Sequence, residues 1–246
     1  MYQRGLALVG LITILILGTA TPGWAAVPWG LDQALAPDRL STTLLIFLSF
    51  TALSLAPALI VMVTSFTRLA VVFSFLRHAL GTQSMPPNQV LIALSLFLTF
   101  FIMAPVWHDI QTSAVQPYVD QKLTGEEAIQ RGLQPLKTFM GKQTREKDLA
   151  LFLTIMKAPR PKNFQDIPIT AVVPAFMISE LRTAFEIGFL LFLPFLIIDM
   201  VVASVLLSMG MMMLPPVMIS LVFKILLFVL VDGWNILVGS LVKSFH

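Results

Sequence analysis

The sequence has 246 residues, 57% of them hydrophobic and 12% charged, and carries a net charge of +3. An ordinary soluble domain has about 25% charged residues, so this composition excludes a water-soluble globular protein and predicts an all-α membrane protein. The absence of cysteine excludes thiol catalysis, disulfides and Cys-ligated metal sites.

Residues 1–25 read as a cleaved signal peptide. Arg4 supplies a basic start, Leu6 to Leu17 an apolar run, and Thr21-Pro22-Gly23 a helix-breaking exit. Such a run is too short for a bilayer core of about 30 Å, which needs about 20 residues. Cleavage between Ala25 and Ala26 puts Gly23 and Ala25 at the two small-residue positions. An uncleaved anchor is the other reading. Both leave the following segment, residues 26–43, on the periplasmic side.

Residues 44–107 form the first predicted helical hairpin. Its first helix, Leu44 to Ala70, is expected to bend near Pro57, because a proline ring removes a backbone hydrogen bond and crowds the preceding turn. Arg68 and Arg77 then face the cytoplasm, in keeping with the positive-inside rule. A polar turn, Gly81 to Pro87, leads to a second apolar helix, Val90 to Val106.

Residues 108–182 make a polar, helical periplasmic segment. Of the 29 Asp, Glu, Lys and Arg residues, 16 fall between Asp109 and Asp166, nine basic and seven acidic. A mixed surface of this kind lacks the one-signed face that nucleic acid requires. Tyr118, Leu123, Ile129, Leu133, Leu136, Phe139 and Met140 recur at helical spacing, which predicts amphipathic helices lying against a partner.

Residues 183–246 form the second hairpin, with apolar runs from Phe185 to Met209 and from Val217 to Val242. Its turn is rich in methionine: Met209, Met211, Met212 and Met213 are four of the thirteen in the chain. A turn is an odd place for core packing. Unbranched thioethers adapt to variable shapes, so these residues are expected to act as a deformable pore gasket.

Ionisable groups within or beside the apolar runs are Glu180, Arg182, Glu186, Asp199, Lys224 and Asp232. A charge at mid-bilayer costs about 2.5–3.5 kcal/mol even on lenient scales and seeks a partner. Arg182 and Glu186 share a helix face. Folding the hairpin at Met213-Leu214 sets Lys224 within reach of Asp199. These six are expected to serve buried charge and inter-helix pairing, with proton handling by Asp199 and polar pore lining as alternatives.

The phosphate-loop, H-E-x-x-H and G-x-S-x-G patterns are missing. No enzymatic activity, cofactor or metal site is expected. His78, His108 and His246 lie far apart at segment ends and read as solvated side chains.

PAFMISELRTAFEIGF, from Pro174 to Phe189, and PFLIIDMVVASVLLSMGM, from Pro194 to Met211, resemble the signature stretches of the FliP family. The resemblance extends to TSFTRLAVVFSFLRHALGTQSMPPNQV, from Thr64 to Val90, and FKILLFVLVDGW, from Phe223 to Trp234. One departure is Val222, where relatives carry proline, which puts a kink there in doubt. The family supplies subunits of type III export gates in flagella and in virulence injectisomes, and the signal peptide and long polar segment resemble the flagellar branch.

The resemblance implies a homo-oligomeric ring of five copies, with FliQ, FliR, FlhB, FlhA and FliO as partners in the inner-membrane basal body. Unfolded flagellar subunits would pass through it, and the Met run matches the family's gasket. It also implies contact with lipid, helices lifted toward the periplasmic side, and no nucleic-acid partner. Two rivals are weaker. A secondary transporter predicts inverted repeats, and the two hairpins show none. An aspartyl protease using Asp199 and Asp232 predicts flanking residues that Ile-Asp-Met and Val-Asp-Gly do not resemble.

Overall fold

The computed structural model describes residues 40–82, 85–157, 161, 163–211 and 214–245. The expected signal peptide, its Ala25–Ala26 junction, Met212, Met213 and His246 lie outside them. Among the described residues all regular structure is helical. The chain divides into two compact units, Met1–Ala56 and Pro57–His246.

Helix α1 spans Leu40–Met62, and within the first unit Ser49 and Thr51 return their hydroxyls to the carbonyls of Leu45 and Phe47. Such back-bonding hides a hydroxyl inside an apolar helix. The second unit holds α2 (Phe66–Leu80), α3 (Asn88–Ile110), α4 (Gly125–Gln143), α5 (Glu146–Ile155), α6 (Ile169–Ser208), α7 (Pro216–Leu230) and α8 (Gly233–Lys243). A π-turn, Gln111–Val115, and a last turn, Gln116–Val119, prolong α3. Leu44–Met62, Asn88–Val119 and α6 are each long and apolar enough to cross a membrane, and α7 and α8 qualify together as a pair bent by 65°.

The 40 residues of α6 form the spine of the second unit. Along it, α2 buries Leu69, Val72, Phe73 and Leu76 in one cluster with Ala184 and Phe195 of α6 and Leu237, Leu241 and Phe245 at the C-terminal end. A second cluster joins Met140 of α4 to Ile167 and to Ala171, Val172 and Phe176 at the start of α6. Lys137, buried beside it, donates to the Gln165 carbonyl. Burial pushes its pKa down, partly opposed by Asp166. Thr124 and Glu127 form a capping box that opens α4, and the bonds from Thr124 hold the Glu127 carboxyl below its usual range.

Helices α2 and α6 meet closely at Gly188. A Cβ there would stand 2.6 Å from two ring carbons of Phe75 and 3.0 Å from its own Cβ. That collision involves the root of the side chain, which cannot swing away without moving the backbone. Gly188→Ala should therefore destabilise the protein by about 1–3 kcal/mol, the usual cost of overpacking, read as a lowered Tm of the detergent-purified chain. Gly239→Ala, in α8 where no atom lies within 4 Å, is the comparison and should leave Tm nearly unchanged.

Four sequence expectations change here. The first apolar run does not continue through Ala70: α1 holds Pro57 in its interior and ends at Met62. The break falls at Val63–Ser65, where the Thr64 and Thr67 hydroxyls both take the Val61 carbonyl, satisfying a helix end from side chains. Helix α6 starts at Ile169 and passes unbroken through the 182/183 boundary drawn from hydropathy. The fourth run, expected to continue from Val217 to Val242, is unbroken helix across Val222 but breaks at Asp232, in a left-handed conformation (φ 53°, ψ 51°). In the polar segment, Leu136, Phe139 and Met140 pack within their own chain, against Phe176 and its neighbours, whereas Tyr118, Ile129 and Leu133 are exposed.

Candidate functional site

The most enclosed polar cluster forms around Arg68, near the start of α2. Its Nε donates to Glu180 Oε2 at 2.9 Å, and its Nη2 donates to Glu180 Oε1 at 2.5 Å and to Gln143 Oε1 at 3.0 Å. Nη1 donates to the Ser244 carbonyl at 3.1 Å and to the Ser244 hydroxyl at 2.9 Å. Every N–H of the guanidinium thus has an acceptor. Phe245 covers its face with the ring centroid 3.8 Å away, within cation–π range. Gln143 returns its amide to the Phe245 carbonyl at 3.1 Å. The Arg68 and Glu180 side chains are 3% and 0% exposed. Arg68 is therefore not the solvated cytoplasmic flank that the positive-inside rule predicts, because Glu180 neutralises it within the fold.

Phe245 and Gln143 also line a cavity of about 590 Å³, with Asp109, Arg131 and Lys142 on its other walls. Phe245 thus borders both this cavity and the buried ion pair.

A second pair ties α7 to α6. Lys224 Nζ and Ser220 Oγ each donate at 2.6 Å to Asp199, to Oδ2 and Oδ1 respectively. Lys224 is 4% exposed and Asp199 30%. Nearly all neighbouring side chains on both helices are aliphatic or aromatic, so this is a small polar island in an apolar hairpin.

The other charges expected to pair lie at the surface. Glu186 accepts from Arg182 at 3.1 Å, one turn earlier on α6, and from Arg145 at 2.8 Å, at the start of α5. Both Arg182 and Glu186 are more than half exposed. Asp232 is exposed at the α7–α8 joint and accepts from Asn235 within its own turn, away from any inter-helix partner among the described residues. Its position at a helix break is the physical reason: the carboxylate meets the Asn235 amide of its own turn and not a neighbouring helix. His78 and His108 are likewise exposed.

The tip of the α6–α7 hairpin is shaped by Gly210 at φ +76°. The Met211 N–H bonds to the Leu206 carbonyl and the Gly210 N–H to the Leu207 carbonyl, the paired closure of a Schellman turn. That turn stops α6 at Ser208 and holds Met209 and Met211 outside any helix. Both are exposed, 66% and 40%. Met103 and Met140, by contrast, are fully buried.

These features define an all-helical membrane protein whose apolar helices are joined by internal ion pairs and whose main hairpin ends in exposed methionine. The family model described as the FliP family matches residues 49–241, a span that includes both ion pairs except for the Ser244–Phe245 clasp, and the methionine turn. The chain belongs to the FliP family. It is 59% identical over 209 residues to the flagellar biosynthetic protein FliP of Bacillus subtilis, covering 85% of this chain and 95% of that one. It is 49% identical over 237 residues to the FliP of Pectobacterium carotovorum, covering 96% and 92%. The FliP of Aquifex aeolicus is 56% identical over 208 residues, covering 84% and 86%.

Proposed function

We propose that this chain is a component of the flagellar export apparatus and, within it, a pore-forming subunit that passes unfolded flagellar subunits across the inner membrane. The observation that carries the reading is the α6–α7 hairpin, whose apolar arms end in a turn that exposes Met209 and Met211. A channel for unfolded chains must admit side chains of every size and yet deny ions a path when idle. Methionine meets both needs. Three rotatable bonds and no branch let a ring of such side chains reshape, and their apolar surface disfavours a continuous water column. Relatives named as flagellar biosynthetic proteins support the flagellar branch over an injectisome.

In this reading five copies form a ring, with FliQ, FliR, FlhB, FlhA and FliO as partners in the basal body, and the turns meet at its centre. The ion pairs hold each subunit's helices in register so that the turns arrive at one level. Replacing Met209, Met211 and Met212 together by Ala should leave assembly intact and raise the resting leak of small ions several-fold. Ion flux across membranes carrying the assembled complex measures it, with the complex quantified in parallel. Unchanged flux at normal assembly would move the seal elsewhere in the chain.

A further inference from the structure

We propose that the cavity between α3 and α4 binds a phospholipid whose headgroup carries both a phosphate and a primary ammonium, as in phosphatidylethanolamine. The reading stands apart from the methionine turn and does not depend on it. Asp109, Arg131 and Lys142 all line this cavity, yet none of the three takes part in an ion pair among the described residues. Glu127, one turn before Arg131 on α4, gives its carboxylate to the Thr124 hydroxyl and N–H. Three further cavities, of about 540, 480 and 390 Å³, hold no charged side chain. A carboxylate and two cations that face one space without neutralising one another are complementary to a zwitterion. Asp109 suits an ammonium, and Arg131 and Lys142 suit a phosphate.

The rest of the wall makes that zwitterion a lipid. Ile102, Pro105, Val106, Phe139 and Phe245 give the cavity an apolar part beside its charged one, the division an amphiphile needs. Phe97, Phe101, Pro105 and Asp109 follow one another at four-residue spacing and so form one ridge on the surface of α3. Phe97 and Phe101 are both exposed, with their rings in edge contact at 4.9 Å. The ridge leads out of the apolar stretch of α3, which closes at Val106, past Trp107, a residue type that favours the membrane interface. Asp109 stands about 4.5 Å beyond Val106 along the axis, at 1.5 Å per residue, which is headgroup level. Acyl chains lie along the two phenylalanines, and the headgroup enters between Asp109 and α4. Basic pockets beside membrane helices recognise lipid phosphates; Asp109 adds the demand for a cation and so disfavours a purely anionic lipid.

The test uses the assembled complex, stripped of lipid in mild detergent. It is titrated with phosphatidylethanolamine, phosphatidylcholine or phosphatidylglycerol of identical acyl chains, and bound lipid is counted per chain by native mass spectrometry. The wild type should bind the ethanolamine lipid several-fold more tightly than the other two. The choline lipid keeps the phosphate but has no N–H to give Asp109, and the glycerol lipid has no cation. Asp109→Asn and Arg131→Gln should each weaken binding of the ethanolamine lipid several-fold, and Asp109→Asn should erase its advantage over the choline lipid. Lys147→Gln, which removes an exposed cation outside the cavity, should change nothing. In lipid-free detergent both cavity variants should melt with the wild type, because the charges they remove have no partner in the fold. Equal binding of the three lipids overturns the proposal, as does a preference for the glycerol lipid or an Asp109→Asn complex that still favours the ethanolamine lipid. Free glycerophosphoethanolamine binding as tightly as the lipid overturns it too, since the tails would then contribute nothing. So does a wild-type complex that takes up no lipid, which would leave the cavity to a neighbouring chain, or a lowered Tm of either cavity variant before lipid is added, which would place its charge in the fold.

Discussion

Glu180→Ala should lower the stability of the protein by about 3–5 kcal/mol, the cost of stranding one member of a buried ion pair, and deplete the assembled complex. The pair is enclosed on both sides, with 3% and 0% side-chain exposure, so water cannot enter to solvate the abandoned guanidinium. Arg68 would retain its bonds to Ser244 and Gln143, but neither neutralises its charge. Glu180→Gln keeps an acceptor and removes the charge, and should fall between the two. Arg68→Lys should resemble Glu180→Ala, because an ammonium cannot reach Glu180, Ser244 and Gln143 together as the planar fork does. The decisive comparison is Arg68→Leu with Glu180→Leu in one chain: with no charge left stranded it should recover part of the loss in Tm. A double variant no better than either single would mean that the Arg68 cluster matters for shape and not for charge.

Asp199→Ala should cost about 3 kcal/mol, at the lower end of the range for breaking a buried pair. Asp199 is 30% exposed while Lys224 is 4% exposed, so the harm comes from leaving the lysine without its carboxylate. Ser220 also loses its acceptor but keeps a bond to the Val217 carbonyl at 3.2 Å. Lys224→Met alone should do less damage, because the carboxylate it abandons still meets Ser220 and some solvent. Combining Asp199→Ala with Lys224→Met should recover stability toward that of Lys224→Met. Thermal unfolding of the detergent-purified chain, together with the amount of complex recovered, checks the order. If the double variant matches Asp199→Ala, the 2.6 Å contact contributes little to holding α6 on α7.

The two ion pairs differ in how much of them sequence can reveal, and the reason is chain distance. Asp199 and Lys224 are 25 positions apart across one tight turn, so counting residues back from Met213-Leu214 brings them together. Arg68 and Glu180 are 112 positions apart on helices that no local register connects. Arg68 ends an apolar run, where a cation ordinarily marks a membrane flank, and nothing nearby in sequence signals its partner. Helix ends were obscured for a related reason. Hydropathy averages over Thr64 and Thr67, whose hydroxyls both take the Val61 carbonyl where α1 ends, and it stops at Arg182 and Glu186, whose charges pair one turn apart and let α6 run on. The break at Asp232 carried a local cue in Asp-Gly, but apolar residues on both sides masked it.

The clasp at Ser244 and Phe245 also sets an order of events in time. Synthesis runs from the amino end, so Arg68 leaves the ribosome long before Gln143, Glu180 and, last of all, Ser244 exist. Until Glu180 is made its charge has no internal carboxylate and must stay in water or at lipid headgroups, where it can act as the topological marker its sequence position suggests. The part of the cluster that Ser244 and Phe245 supply can close only after those residues are made, so the guanidinium is enclosed late in synthesis. A ribosome product cut before Ser244 would keep most of its apolar surface and yet leave two guanidinium donors and one face of Arg68 uncovered.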